Sequence, residues 1–281
     1  MQAAQVLERQ RHSHGMRIVA ETMLSRGFAE MDVDPCILAD NLEAISSGMR
    51  KLTDDQYLGA LFPKEIVRID EVGWPMEAGL VRRSGKDETG NVEEKFFFHY
   101  VPGMKWPEEA TKDLVDFRLA MERLNTEAKR IALSIAKEID NIHDCTQLSL
   151  YDAIEQGVTV TRGLRYLGRA NAYTHFDRSA ISADWWASHP GLVIVDNKGR
   201  ECRVNEAVLD RVAVFPGKKF GGFFAGQCGY GTPHGVRDTR TNGDDRYSVV
   251  SFVHAKLTTE AAQWIHDKTE LMEALERLHA L

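Results

Sequence analysis

The chain has 281 residues, of which 43% are hydrophobic and 27% charged, close to an average soluble protein. That composition excludes a disordered chain, a collagen-like fibre and a coiled-coil rod. Thirty-five Lys and Arg against 42 Asp and Glu leave a formal charge of −7, which disfavours non-specific binding to nucleic acid or anionic membranes. No apolar run reaches the roughly 20 residues of a membrane span. The segment MQAAQVLERQRHSHGMR has no apolar stretch of a secretory leader. Cys36, Cys145, Cys202 and Cys228 are widely spaced and form no CxxC. The expectation is a reduced, cytoplasmic protein without a disulfide framework.

Along the chain, Arg26-Gly27-Phe28-Ala29 reads as a helix end running into a short strand. Asp34-Pro35 is a helix start, with Asp at the N-cap and Pro at N1. Ile37, Leu38, Leu42, Ile45 and Met49 then keep a helical stripe. Residues 73–104 are rich in Gly, Pro and charge, and predict irregular structure with one hairpin or strand. After Trp106-Pro107, the positions Leu114, Phe117, Met121, Leu124, Ala128, Ile131, Ile135 and Ile139 predict one long amphipathic helix with a buried face.

From about residue 157 the pattern changes to short apolar runs broken by Gly, Pro and Asn. VDNKGRECRV predicts a hairpin turning at Asn197-Lys198-Gly199, and Pro216-Gly217 marks another turn. Such strands suggest an antiparallel barrel or sandwich. Leucines and other apolar residues after Thr259 predict a closing helix. The expected organisation is an α+β fold. Residues 1–150 form a mainly helical region packed on the core, 151–258 the β core, and 259–281 a C-terminal helix.

Chemistry concentrates in Thr174-His175-Phe176-Asp177. On a strand, alternate side chains share a face, so His175 and Asp177 point the same way. Fifty-nine residues after His175 comes His234, flanked by Pro233 and Gly235. Two His and one carboxylate make the facial triad of non-haem Fe(II) oxygenases, which leaves positions open for co-substrate and O2. Twelve residues further on, Arg246 and Ser248 share a strand face. A guanidinium and a hydroxyl together make a receptor for a carboxylate.

The order HxD, distant His, RxS resembles the 2-oxoglutarate and Fe(II)-dependent dioxygenases of the isopenicillin N synthase-like branch. PGLVIVDNKGRECRV, VAVFPGKKFGGFFAGQCGYGTPHGV and EKFFFHYVPGMKWPEE extend the resemblance, which spans roughly residues 70–255. It implies a double-stranded β-helix, a jelly-roll of cupin type, with the long helix packed on its sheet. It also implies that His175, Asp177 and His234 hold Fe(II), and that Arg246 and Ser248 hold the distal carboxylate of 2-oxoglutarate. The family's Tyr for that carboxylate is best matched by Tyr166, with Tyr173 a second candidate. O2 is the oxidant, and ascorbate is an expected stimulant.

The implied reaction is hydroxylation or desaturation of a small molecule, such as an amino acid or a natural-product intermediate. Retention of Asp177 favours this over halogenation, because halogenating relatives carry a small residue there. An iron oxidase of isopenicillin N synthase type, without 2-oxoglutarate, is the alternative; a non-catalytic ligand-binding barrel is a third reading. Trp185, Phe98, Phe223 and Arg82 are candidate substrate contacts. Two departures stand out: Gly235 follows the distal His where many relatives have Arg, and the His234–Arg246 spacing is long. No nucleic-acid or membrane partner is expected.

Overall fold

The computed structural model describes residues 2–62, 65–68, 75–86, 92–143, 149–168, 171–224, 231–237, 244–260, 262, 263 and 267. Cys145, Cys228 and nearly all of the expected C-terminal helix lie outside the described residues. The chain opens with α1 (Gln2–Arg26), stops at Gly27 with φ +93°, and enters β1 (Ala29–Asp32). Helix α2 (Pro35–Asp54) starts where expected: the Asp34 side chain accepts a hydrogen bond from the Cys36 amide at 2.9 Å. A short α3 (Gln56–Ala60) and β2 (Glu65–Arg68) follow.

The Gly- and charge-rich stretch is more regular than its composition suggests. It contains β3 (Pro75–Lys86) and β4 (Val92–Tyr100), paired antiparallel from Gly79↔His99 to Lys86↔Val92. The difference has a physical source. Phe96, Phe97, Phe98 and Val81 supply enough β-forming and apolar surface to outweigh the neighbouring charges.

A single turn, α4 (Glu108–Thr111), precedes the long helix α5 (Val115–His143). Every apolar position of the expected stripe is buried, from Leu114 through Ile139. Full burial of each large side chain contributes about 1.5–3 kcal/mol, so this face anchors the helix. After α6 (Leu150–Glu155) come β5 (Thr159–Leu167), β6 (Asn171–His175), β7 (Ile181–Ala187), β8 (Leu192–Val195), β9 (Glu201–Arg203) and β10 (Arg211–Pro216). The chain continues with α7 (Lys218–Phe223), β11 (His234–Arg237) and β12 (Arg246–Val253). The β8–β9 hairpin turns at Gly199, φ +75°, as expected.

The strands form an eight-stranded sheet in the order β1-β10-β7-β12-β5-β4-β3-β2 and a four-stranded sheet in the order β6-β11-β8-β9. This is the jelly-roll arrangement: two antiparallel sheets facing each other across an interior. The region before residue 150 therefore supplies four strands of the large sheet as well as the helices. Helices α1, α2 and α5 cover the outer face of that sheet.

The period of two along each strand sorts the side chains. On β12, Tyr247, Val249 and Val253 join the helix-side core, while Arg246, Ser248, Val250 and Phe252 line the interior. A buried polar chain pins α5 to the sheet centre. Asn125 donates to the Thr159 carbonyl at 2.9 Å and to Thr161 Oγ1 at 3.2 Å. Thr161 Oγ1 bonds Ser251 Oγ at 2.8 Å, and Trp185 Nε1 donates to the same Ser251 oxygen at 2.9 Å. Among the described residues no helix is long and apolar enough to cross a membrane. Cys36 and Cys202 are free thiols.

Candidate metal centre

The small sheet brings the distant histidine to the HxD motif. Strand β11 pairs with β6 so that His234 lies directly opposite His175. Their ring centroids are 4.5 Å apart. Asp177 follows the end of β6, with its carboxylate between the rings. Oδ1 lies 3.7 Å from His175 Nε2, and Oδ2 lies 3.4 Å from His234 Nε2. One ligand atom from each residue falls within 4.8 Å of the others.

The groups around the triad orient it. His175 Nδ1 lies 2.8 Å from the Tyr173 carbonyl, and His234 Nδ1 lies 3.0 Å from the Thr232 carbonyl. Each carbonyl fixes the proton on Nδ1, which leaves both Nε2 lone pairs aimed at the common point. Ser182 donates to Asp177 Oδ2 at 2.6 Å. The Asp177 backbone carbonyl accepts from the Lys218 amide at 2.8 Å, tying the ligand loop to α7. Burial works to raise the Asp177 carboxyl, but His234, His175 and Ser182 outweigh it and hold it well below the usual carboxylate range. Burial lowers the His175 imidazole, helped by His234. Burial also opposes charge on His234, yet Asp177 more than compensates and raises it.

An ionised carboxylate and two imidazole nitrogens on one side, with His175 48% exposed on the other, suit a divalent transition metal that keeps open positions. Gly235 explains one departure from the family pattern. A Cβ there would sit 2.7 Å from the Ala172 carbonyl oxygen, so no side chain fits between β11 and β6. The pairing also shifts register between His234 and Val236.

Arg246 and Ser248 are buried and line the interior cavity with His175, Asp177 and His234. Arg246 stands opposite Tyr166 in the β12–β5 ladder, with its guanidinium carbon 5.6 Å from the Tyr166 ring centre. Tyr173 is 47% exposed, at the outer mouth. Arg246 donates through Nε to the His189 carbonyl at 3.0 Å and through Nη2 to Glu206 Oε1. Glu206 is buried and also accepts from the Leu192 amide at 2.9 Å. Asp184 lines the same cavity. Burial, reinforced by Glu206, pushes its carboxyl up to about 8. Neither acid was among the expected site residues. A lone Asp at an interior position of ISADWWA was a signal for Asp184; nothing local marks Glu206.

The four expected substrate contacts are placed elsewhere. Trp185 is fully buried on the helix side, because the ladder to β12 skips it between Val249↔Trp186 and Val250↔Asp184. Phe98 is fully buried against Phe62, Trp106 and Phe117. Phe223 packs on the main core from α7. Arg82 is exposed and pairs with Glu94. Their strand neighbours Arg83 and Phe97 face the cavity instead. One step along a strand exchanges faces, and that step separates expectation from structure.

Solved structures share this architecture. A full-length Neurospora crassa protein, solved in complex with alpha-KG, aligns with 89% of this chain and 84% of its own, at TM-score 0.66 and 17% identity. The dioxygenase for auxin oxidation 1 from Arabidopsis thaliana, as its 2-oxoglutarate complex, aligns over 86% of this chain and 88% of its own. Its TM-score is 0.60 and its identity 15%. The fold is that of the 2-oxoglutarate and Fe(II) oxygenases. A crystal structure from Shewanella oneidensis covers 95% of both chains at TM-score 0.64 and 20% identity. No family model and no curated protein matches the sequence.

Proposed function

We propose that this oxygenase-fold protein is a non-haem Fe(II), 2-oxoglutarate-dependent dioxygenase that hydroxylates or desaturates a small molecule. The observation that carries the reading is the convergence of His175, Asp177 and His234 in the cavity that Arg246 and Ser248 also line. The fold shared with oxygenases solved as 2-oxoglutarate complexes supports it.

Iron(II) with 2-oxoglutarate and O2 supplies an oxidant able to break a substrate C–H bond, and the 2-oxo acid leaves as succinate and CO2. His175, Asp177 and His234 would hold the metal. The Tyr173 and Thr232 carbonyls keep the two rings in the metal-binding tautomer. The Arg246 guanidinium and the Ser248 hydroxyl, both lining the interior, bind the distal carboxylate of the co-substrate. Leu164, Val250 and Phe252 give the interior dry walls. Incubation of iron-loaded protein with 2-oxoglutarate and ascorbate in air tests the reading. Succinate accumulates slowly without any added substrate; its absence from fully iron-loaded protein refutes the assignment.

One observation favours a second reading, an Fe(II) oxidase that does without 2-oxoglutarate. Arg246 already carries a carboxylate partner in Glu206. On this reading the Arg246–Ser248 anchor receives an acid group of the substrate, and iron-loaded protein consumes O2 without forming succinate.

A further inference from the structure

We propose that Glu206 is a positioning residue for the co-substrate anchor: it fixes the plane of the Arg246 guanidinium and ties that anchor to the sheet that carries His234. The inference rests on the oxygenase reading for what binds at Arg246. It deepens that reading by naming the residue that sets how well the anchor receives a carboxylate.

Glu206 lies between β9 and β10. Its side chain is 1% exposed, and that of Arg246 is 2% exposed. Arg246 lines the interior cavity and Glu206 does not, so Glu206 acts through Arg246 rather than on a ligand. A guanidinium is planar and turns as one rigid unit. Held by a single hydrogen bond, it can swivel about that bond. Here the His189 carbonyl accepts from Nε at 3.0 Å, and Glu206 Oε1 accepts from Nη2. Two acceptors on two nitrogens of one flat group define its plane.

Glu206 is itself held from both sheets. Its backbone carbonyl accepts from the Ala187 amide, at the end of β7, at 2.9 Å. Its Oε1 also accepts from the Leu192 amide, at the start of β8, at 2.9 Å. Strand β7 belongs to the large sheet and β8 to the small one. In the β8–β11 ladder Leu192 stands opposite Val236, and Ile194 opposite His234. One carboxylate oxygen therefore connects Arg246 on β12 to the strand beside a candidate metal ligand. A 2-oxo diacid has a fixed reach from its chelating end to its distal carboxylate. A group that locks the anchor against the small sheet therefore governs how well that length fits.

The energetics of the pair favour orientation over stability as its role. Glu206 Oε2 is buried and has no hydrogen-bond partner. Desolvating two charges costs much of what their attraction returns, and an unmatched oxygen adds to that cost. Apolar side chains of the same volume would fill the space without it, but could not orient a guanidinium.

The test compares 2-oxoglutarate with pyruvate, which offers the same carboxylate and 2-oxo group to iron but has no distal carboxylate. Anaerobic titration of the Fe(II)-loaded protein, followed by visible absorption, gives the affinity for each acid. Their ratio reads the anchor alone. Glu206→Gln keeps both acceptor bonds through its amide oxygen, and its ratio stays within about threefold of wild type. Glu206→Asp keeps the charge but is a methylene too short to reach both Arg246 and the Leu192 amide. Its ratio falls at least about tenfold, the scale of one hydrogen bond to a charged group. Pyruvate affinity, and iron affinity by chelator competition, stay at the wild-type level in both variants. Should Glu206→Asp fail to fold, Glu206→Met, similar in length and a poor acceptor, carries the same prediction. An unchanged ratio in the Asp or Met variant overturns the proposal. So does an equal fall in the Gln variant, because charge rather than orientation then sets the anchor. A parallel loss of pyruvate and 2-oxoglutarate binding also overturns it, as the mark of a merely structural role. A wild type that does not prefer 2-oxoglutarate to pyruvate refutes the 2-oxoglutarate reading itself, and this inference with it. A wild-type preference that Glu206→Asp leaves intact refutes this inference alone.

Discussion

At the scale of single residues, the site depends on groups that orient the ligands as much as on the ligands themselves. Asp177→Ala removes one of three ligand atoms, and metal analysis after gel filtration should find no stoichiometric iron. Ser182→Ala leaves the triad intact but frees Asp177 Oδ2 to rotate. Its iron affinity should fall about tenfold, measured by chelator competition, since outer-shell partners carry effects of that size. Asp184 makes a different prediction. Its carboxyl is pushed up to about 8 by burial and by Glu206, above the ordinary value of 3.8. A raised pKa gives stability that is full below the ordinary value and is lost as pH rises through the raised one. Between pH 5 and 8 the metal-free wild type should therefore lose melting temperature relative to Asp184→Asn. The gap should widen by more than about 2 °C; a pH-independent gap would show that Asp184 ionises normally. His175, Asp177, His234, Arg246 and Ser248 could be singled out because HxD and RxS each put two side chains on one strand face, and the order of those motifs around a distant His resembles the family's. Glu206 could not, because its partner Arg246 lies 40 residues away and only the folded barrel buries the pair.

Among the elements, the long helix and the late strands were readable because each carries its own period. The stripe on α5 repeats over nearly the whole helix, and the β8–β9 turn holds its glycine at positive φ. Strand β1 was expected as a short strand after the α1 end, but its partner β10, some 180 residues distant, was not readable. Local propensity contains no trace of such a partner. The face of each strand was the harder question. The bulge at Trp185 turns its ring to the helix side, and on β4 Phe98 packs toward the helices while Phe97 faces the cavity. The contact between β6 and β11 is the element-level feature the metal centre depends on most. Gly235→Ala pushes a methyl against the Ala172 carbonyl and displaces His234 from His175. The variant should stay folded by circular dichroism and bind iron at least about tenfold more weakly. Unchanged iron affinity would mean that the strands separate without disturbing the ligands.

For the molecule as a whole, the helices and the large sheet act as a platform, while the small sheet closes over the interior with two of the three candidate metal ligands, His175 and His234. This division explains why the core side of the large sheet is apolar and its inner side carries charge. Ile135, Ile139 and Val249 serve the platform; Arg162, Arg246 and Ser248 serve the interior. On the proposed function, one cavity holds both a metal on the triad and a 2-oxo acid anchored at Arg246. The direct measurement is an anaerobic titration of the Fe(II)-loaded protein with 2-oxoglutarate, followed by visible absorption. A metal-to-ligand charge-transfer band should grow to saturation in the wild type and be absent in Asp177→Ala. A wild-type protein that holds its iron and gives no band at saturating 2-oxoglutarate would contradict the account.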